Sequence, residues 1–302
     1  MIKPNPRRVC FLTFGGGKTW PEAARRLSNQ AKATGLFDKI ITETSETFFR
    51  KNGEFAIHRD FIENNPRGWG YWIWKPFLIL KHLKRMNDGD AIFYLDSGCE
   101  ILPENRHRLK LMMEYAQEKG CLFFNYAEYP ILNIAFCTKP SLLSAVQNEF
   151  GLADFLRIPT VWAGGLALVK NKRNIKFLED WCRYCVRDNY HMVDGTPSYE
   201  PIRHQLFEHR HDQSIMSILK AIYDYPTFCS ASEFDFVDIG IDYAEKAFSQ
   251  PFLVSRNPSG ISAVDRAKIS PGPIGGTSAT HFLADSLQIK YGALLNSLGL
   301  LK

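Results

Sequence analysis

The chain has 302 residues, 45% of them hydrophobic and 23% charged, with a formal net charge of +5. That length buries one large core, and the charge balance suits anionic ligands or an anionic membrane face while being too mild and too dispersed for nucleic acid. No run approaches the roughly 18 apolar residues of a membrane span, Met1–Pro6 have no apolar secretory core behind them, and the seven scattered cysteines read as buried thiols, so a cytoplasmic protein is expected.

In chain order, Val9–Phe14 reads as a strand that opens into Gly15-Gly16-Gly17-Lys18, followed by a helix over Pro21–Thr34 that ends near Gly35. Phe37–Ile41 is a second short strand. Pro76 suits the first turn of a helix, where its missing N–H costs nothing, and Phe77, Leu80 and Leu83 then recur on one face before Asn87-Asp88-Gly89-Asp90 ends it by turn chemistry. Ala91–Leu95 is a strand that stops on Asp96, Asn105–Lys119 a helix, and Cys121–Asn125 a further strand. This alternation predicts an α/β protein with a central sheet flanked by helices. The second half is less regular. Thr160–Val169 reads as a strand interrupted by Gly164-Gly165, and Ile175–Val186 as a helix whose Cys182 and Cys185 lack a second pair at zinc spacing. Asp212–Tyr223 and His281–Leu300 read as helices, and the Pro-, Gly- and Ser-rich stretch 250–280 as a mobile, functional connection.

Three places carry candidate chemistry. The Gly-rich loop exposes N–H groups that suit a phosphate, but Leu12 stands where a P-loop needs its first glycine, so a nucleoside triphosphatase is excluded; a tight turn and a looser contact from Lys18 to a nucleotide remain open. Asp96 ends a strand at the sheet edge where α/β proteins hold ligands. Just upstream, Trp69, Tyr71, Trp72 and Trp74 offer flat faces for a base or sugar and Lys75 a cation for phosphate, with Asp96 otherwise a simple turn cap. Asp96 and Glu100 are candidate ligands for Mg2+ or Mn2+, which take one or two protein carboxylates plus phosphate oxygens.

The stretch Asn87-Asp88-Gly89-Asp90 … Phe93-Tyr94-Leu95-Asp96-Ser97-Gly98 resembles the nucleotide-sugar-dependent glycosyltransferases of GT-A fold, in particular the bacterial enzymes of surface polysaccharide and lipopolysaccharide assembly. The resemblance implies a GT-A-like (Rossmann-like) mixed sheet in one domain over 1–302, with a donor-nucleotide half, 1–130, and a less regular acceptor-side half, 131–302. It places Asp96 at the first aspartate of an Asp-x-Asp motif whose third position here is Gly98. It implies donor binding by Lys18, Trp72, Lys75, Asp96, Ser97 and Gly98, and a divalent metal held by Asp96, Glu100 and the late His281. Trp162, Gly164, Gly165 and His211 match the acceptor side, with a β-bulge beside a core tryptophan as the other reading of the glycines. Asp212-Gln213 matches an Asp-Gln element near the reaction centre. Asp212 is the base if configuration inverts; Asp212 or Gln213 steadies a cationic sugar if it is retained; Asp212 also suits a plain N-cap. Arg256 and Arg266 are candidate phosphate clamps.

The implied activity is hexosyl transfer from a nucleoside-diphosphate sugar, UDP in the first instance, to a hydroxyl of a glycan or lipid-linked acceptor, with peripheral contact at the inner membrane face and no nucleic-acid partner. The alternatives are a non-catalytic glycan- or nucleotide-sugar-binding protein on the same fold and a sugar nucleotidyltransferase.

Overall fold

The computed structural model describes residues 7–51, 53–127, 129, 131–200, 206–230 and 250–262. Its strands are β1 (Val9–Gly15), β2 (Lys39–Thr44), β3 (Ala91–Leu95), β4 (Glu100–Ile101), β5 (Cys121–Leu122), β6 (Phe124–Asn125), β7 (Gly165–Val169), β8 (Cys229–Ser230) and β9 (Phe252–Leu253). Its helices are α1 (Pro21–Thr34), α2 (Ser45–Lys51), α3 (Arg59–Asn64), α4 (Trp74–Lys84), α5 (Arg106–Lys119), α6 (Ile134–Cys137), α7 (Pro140–Phe150), α8 (Lys172–Val186) and α9 (Asp212–Ile222).

Five strands form the central sheet in the order β2-β1-β3-β7-β5. β1 lies parallel to both β2 and β3, while β7 runs antiparallel to β3 and β5, so the sheet is mixed as expected. The chain leaves β1 for β2 on one side and returns to β3 on the other. Such a reversal opens a crevice beyond the carboxyl ends of β1 and β3.

Both faces of the sheet are covered, which is why β1, β3 and β7 read as continuous apolar runs rather than alternating ones. Leu12, Phe14, Ile92, Tyr94, Leu166 and Leu168 pack against α4, α8 and α9. Phe11, Phe93, Leu95, Ala167 and Val169 pack against α1 and α5. Burying each such side chain contributes roughly 1.5–3 kcal/mol. Period-two alternation therefore puts Tyr94 and the residue two places on, Asp96, on the side of α4 and α9. Lys75 and Asp212 stand in the first turns of those helices.

Several boundaries differ from the sequence reading. The second strand starts later, at Lys39, because Asp38 accepts the Val9 N–H (2.7 Å) and marks the end of the turn. Cys121–Asn125 is divided: β5 pairs with β7, and β6 pairs with β8 after Phe123 turns into the core. Thr160–Val169 is strand only from Gly165, since Val161 is spent on an isolated bridge to Asn125. Helices α2, α3, α6 and α7 were not read from the sequence. Over 250–262, the stretch read as mobile is docked: β9 pairs antiparallel with β4, and Leu102 N–H donates to Pro251 C=O (3.0 Å). The remainder of that stretch and the expected helix His281–Leu300 lie outside the described residues.

Candidate active site

Beyond the carboxyl ends of β1 and β3 lies a cleft of about 1020 Å³. Its near wall is the Gly16–Trp20 loop. Gly15 itself is a packing residue, because a β-carbon there would sit 2.7 Å from Pro21 Cα; Gly16, Gly17 and Lys18 line the cleft.

The opposite wall is made by Gly68–Trp72, and its backbone is unusual. Gly68, Trp69, Gly70, Tyr71 and Trp72 have φ of 59°, 53°, 83°, 53° and 61°, a continuous left-handed turn. Each of the three aromatic residues held this way costs about 1–2 kcal/mol. The turn is over-determined by Tyr71 N–H to Arg67 C=O (2.8 Å), Trp72 N–H to Gly68 C=O (3.1 Å) and Trp74 Nε1–H to Gly68 C=O (3.0 Å). Packing adds to this, with Trp69 against Phe14 and Phe49 and the Tyr71 ring stacked 4.4 Å from His211. Trp69, Trp72 and Trp74 all line the cleft, Trp74 from within the core with its ring tilted 4.0 Å from Phe14. A Gly68 β-carbon would meet the Trp72 ring at 2.4 Å in a positive-φ backbone. Gly68→Ala is expected to destabilise by more than about 2 kcal/mol, measured by denaturant unfolding, while Gly53→Ala, where a β-carbon meets open space, leaves stability unchanged.

At the floor, Lys75 is inserted between two carboxylates. Its Nζ lies 3.3 Å from Asp96 Oδ1 and 3.3 Å from Asp212 Oδ2, and donates to Ala163 C=O at 3.0 Å. Lys75 and Asp212 are only 2% and 3% exposed, so their charges are little screened by water. Burial pulls the Lys75 ammonium down, but Asp212 and Asp96 more than offset it and its pKa is raised. Burial pushes the Asp212 carboxyl up, Lys75 pulls it down and the Asp96 charge pushes it up again, leaving it at about 7. Tyr94 donates its hydroxyl to Asp96 Oδ1 (2.5 Å), and burial and that neighbouring charge hold the phenol well above its ordinary range, so it stays a donor. A carboxyl near 7 beside a fixed cation can take a proton from a hydroxyl at neutral pH and return it.

His211 precedes Asp212 with φ 52° and ψ −124°, outside the regions a β-carbon favours. Nδ1 lies 2.7 Å from Val193 C=O, which requires the proton on Nδ1, and burial holds the imidazole down at about 4, so it is neutral. His211 Nε2 and Gln213 Nε2, on either side of the Lys75-paired Asp212, are buried side-chain atoms without a hydrogen-bond partner. Buried polar atoms are rarely left so, and their concentration at one cleft wall marks a site built for a polar ligand.

Among the residues expected at the site, Lys18, Trp72, Lys75, Asp96, Ser97, Gly98, Trp162, Gly164, His211, Asp212 and Gln213 all line this cleft. Gly165 instead opens β7. The two glycines make room for an aromatic ring rather than for a ligand: β-carbons at 164 and 165 would each meet the Trp162 ring at 2.5 Å. Trp162 is 8% exposed and stacks on Phe252, so the core-tryptophan reading describes most of its surface. Gly98 has a similar reason. A β-carbon there would lie 3.2 Å from Arg256 Cα and 3.3 Å from Trp20, so a second Asp-x-Asp carboxylate at this position would crowd the crossing chain.

The expected metal shell requires a correction. Glu100 is fully buried, bound by Ser255 and Asn257 and paired with Arg26, and does not line the cleft. Its position in β4 turns it inward because β4 pairs with β9. His281 lies outside the described residues. Asp96 Oδ1 is occupied by Tyr94 and faces Lys75, a like charge for any cation placed there. Among the described residues no three His, Cys, Asp or Glu side chains converge, and these groups do not fit the three-residue shell.

Sequence reasoning missed Tyr94, although its i, i+2 spacing from Asp96 placed both on one face. It also missed Arg67 and Glu208, which line the cleft and bond to one another at 2.8 Å; no local pattern links residues 141 positions apart.

No protein-family model matches the chain, and no curated protein matches it. Solved structures similar to it include a glycosyltransferase involved in glycosylation of the major capsid of PBCV-1, at 12% identity over 87% of this chain and 98% of that one, with a TM-score of 0.41. Mouse xyloside xylosyltransferase 1 is 11% identical over 82% and 97% of the two chains, with a TM-score of 0.42. The galactosyltransferase LgtC, solved with donor and acceptor sugar analogs, is 11% identical over 88% and 97%, with a TM-score of 0.42. Similarity this distant leaves the assignment of activity to the site itself. No described helix is long and apolar enough to cross a membrane.

Proposed function

We propose that the chain is a glycosyltransferase that moves a hexose from a nucleoside-diphosphate sugar, UDP-linked in the first instance, to a hydroxyl of a glycan or lipid-linked acceptor. The observation that carries this reading is the Asp96–Lys75–Asp212 cluster at the floor of a cleft walled by Trp69 and Trp72. In this reading the aromatic faces take the base or the apolar face of a sugar. Asp212 takes the proton of the attacking hydroxyl, and Lys75 stabilises the carboxylate until the proton moves. Bond cleavage leaves the electron pair on the diphosphate, whose charge the cations along the cleft compensate. A divalent metal would supply the same compensation, but no step above depends on one. Surface glycans of bacteria and the inner membrane face remain the proposed setting, on the strength of the sequence resemblance and the mild positive charge.

The test is release of nucleoside diphosphate from UDP-hexoses, with and without acceptor glycans. Asp96→Asn is expected to cut turnover at least tenfold. It also removes the charge that pushes Asp212 up, so the ascending limb of the pH profile of kcat/KM moves from about 7 to lower pH. An unmoved limb would detach Asp212 from the reaction. Binding of the nucleotide without any turnover would favour the non-catalytic reading, and pyrophosphate release from a sugar phosphate and a nucleoside triphosphate the nucleotidyltransferase reading.

A further inference from the structure

Arg26 of α1 and Glu100 of β4 form an ion pair whose side chains are 4% and 1% exposed, with Nη1 3.5 Å from Oε1. Burying such a pair is unfavourable unless its remaining donors and acceptors are met. Here two strips of chain meet the Nη donors of Arg26 and Oε1 of Glu100. Arg26 Nη2 donates to Ser97 C=O (3.0 Å) and Cys99 C=O (2.9 Å), and Nη1 to Ser259 C=O (3.2 Å). Glu100 Oε1 accepts from Ser255 Oγ and Asn257 Nδ2, both at 2.9 Å. The same two residues also reach Gly98 C=O, through Ser255 Oγ (3.0 Å) and Asn257 N–H (3.2 Å). The pair thus fixes the register of the 255–259 strip on the loop that follows β3.

Arg256 sits between Ser255 and Asn257, at φ 48°, and lines the cleft. A left-handed arginine persists only where its neighbours over-determine it, and such residues cluster at functional sites. Its backbone crosses over Gly98, where a β-carbon would lie only 3.2 Å from Arg256 Cα. Trp20 touches the same point and brings the loop of Lys18 alongside. A guanidinium at this lip suits bidentate contact with phosphate oxygens.

We infer that Arg256 binds the diphosphate of the donor and that Arg26 and Glu100 are positioning residues that hold it over the Asp96–Gly98 loop. This rests on the transferase reading and gives Glu100 a role other than metal ligation.

The experiment is calorimetric titration of the full chain with UDP, GDP and ADP, followed by the nucleoside of whichever binds tightest. Arg256→Ala is expected to weaken diphosphate binding about 10–100-fold and to leave nucleoside binding unchanged, with Arg256→Lys recovering part of the loss. Glu100→Gln and the milder Ser255→Ala, chosen because Ser255 lies outside the core, are expected to weaken the diphosphate alone. Neither should add to the loss in Arg256→Ala, as expected of groups acting through one another. Unchanged diphosphate affinity in Arg256→Ala, equal losses for nucleoside and diphosphate, or additive effects of Ser255→Ala and Arg256→Ala would each overturn the clamp while the transferase reading stands. A wild-type chain that binds none of the three diphosphates overturns both.

Discussion

Lys75→Met is expected to abolish transfer and to destabilise the fold by about 3–5 kcal/mol, the cost of stranding buried charge. Methionine matches the length of the lysine stem, so packing beneath Tyr94 is nearly preserved and the loss reads the charge. With the ammonium gone, only the Gln213 backbone N–H still opposes its burial and the Asp96 charge, and its carboxyl rises further above 7. The deficit therefore depends on pH. Below about 7, Asp212 already carries its proton in the wild type and loses little when the cation goes; above 7 the wild-type ion pair is charged and its removal costs most. Denaturant unfolding at pH 5 and pH 8 checks this, with a larger deficit at pH 8. A deficit that is flat across this range would mean that the lysine acts through packing alone.

Asp212→Asn is expected to lower kcat by about 10²–10⁴ while raising stability at alkaline pH. The folded carboxyl at about 7 lies above its ordinary value of 3.8, so between those pH values the folded chain holds a proton that the unfolded chain has released. Wild-type stability from this group is thus fully present below about 4 and is lost as pH rises through about 7. Asparagine keeps the shape and does not titrate. Relative to wild type, the variant gains roughly 1–4 kcal/mol between pH 4 and pH 8, read by parallel urea titrations. Loss of activity together with this gain marks a catalytic carboxyl; the plain N-cap role expected from the sequence falls instead to His211, and no side chain caps α9.

These two effects share one physical source, a lysine and two carboxylates in water-poor surroundings. The left-handed turn Gly68–Trp72 is the other concentrated investment of free energy, and it stands at the same cleft. Destabilising features gathered at a single place are what a binding or catalytic site leaves in an otherwise consistent fold.

Much of this was legible beforehand, and for a local reason. The apolar runs of β1 and β3, the glycines that follow β1 and the aspartate that ends β3 act through their immediate neighbours, so the sheet edge and Asp96 could be placed from residue order alone. Lys75 was legible as a candidate because it is the cation beside an aromatic cluster just upstream of Asp96, and Asp212 because Asp212-Gln213 resembles an Asp-Gln element before a helix. That they meet across one ammonium was not, since 137 positions separate them and only the stacking of α4 and α9 on one face of the sheet brings them together. Glu100 fails as a metal ligand for the same reason, and Gly98 is kept free of a side chain by it: both answer to a strand arriving from residues 251–257, about 150 positions away. What the sequence alone determined is the layered α/β architecture and the carboxylate at its edge, because periodicity and turn chemistry are short-range. Only the tertiary structure decided which charges are buried together, which glycines serve packing and which face the cleft, because desolvation and steric exclusion depend on everything that surrounds a side chain.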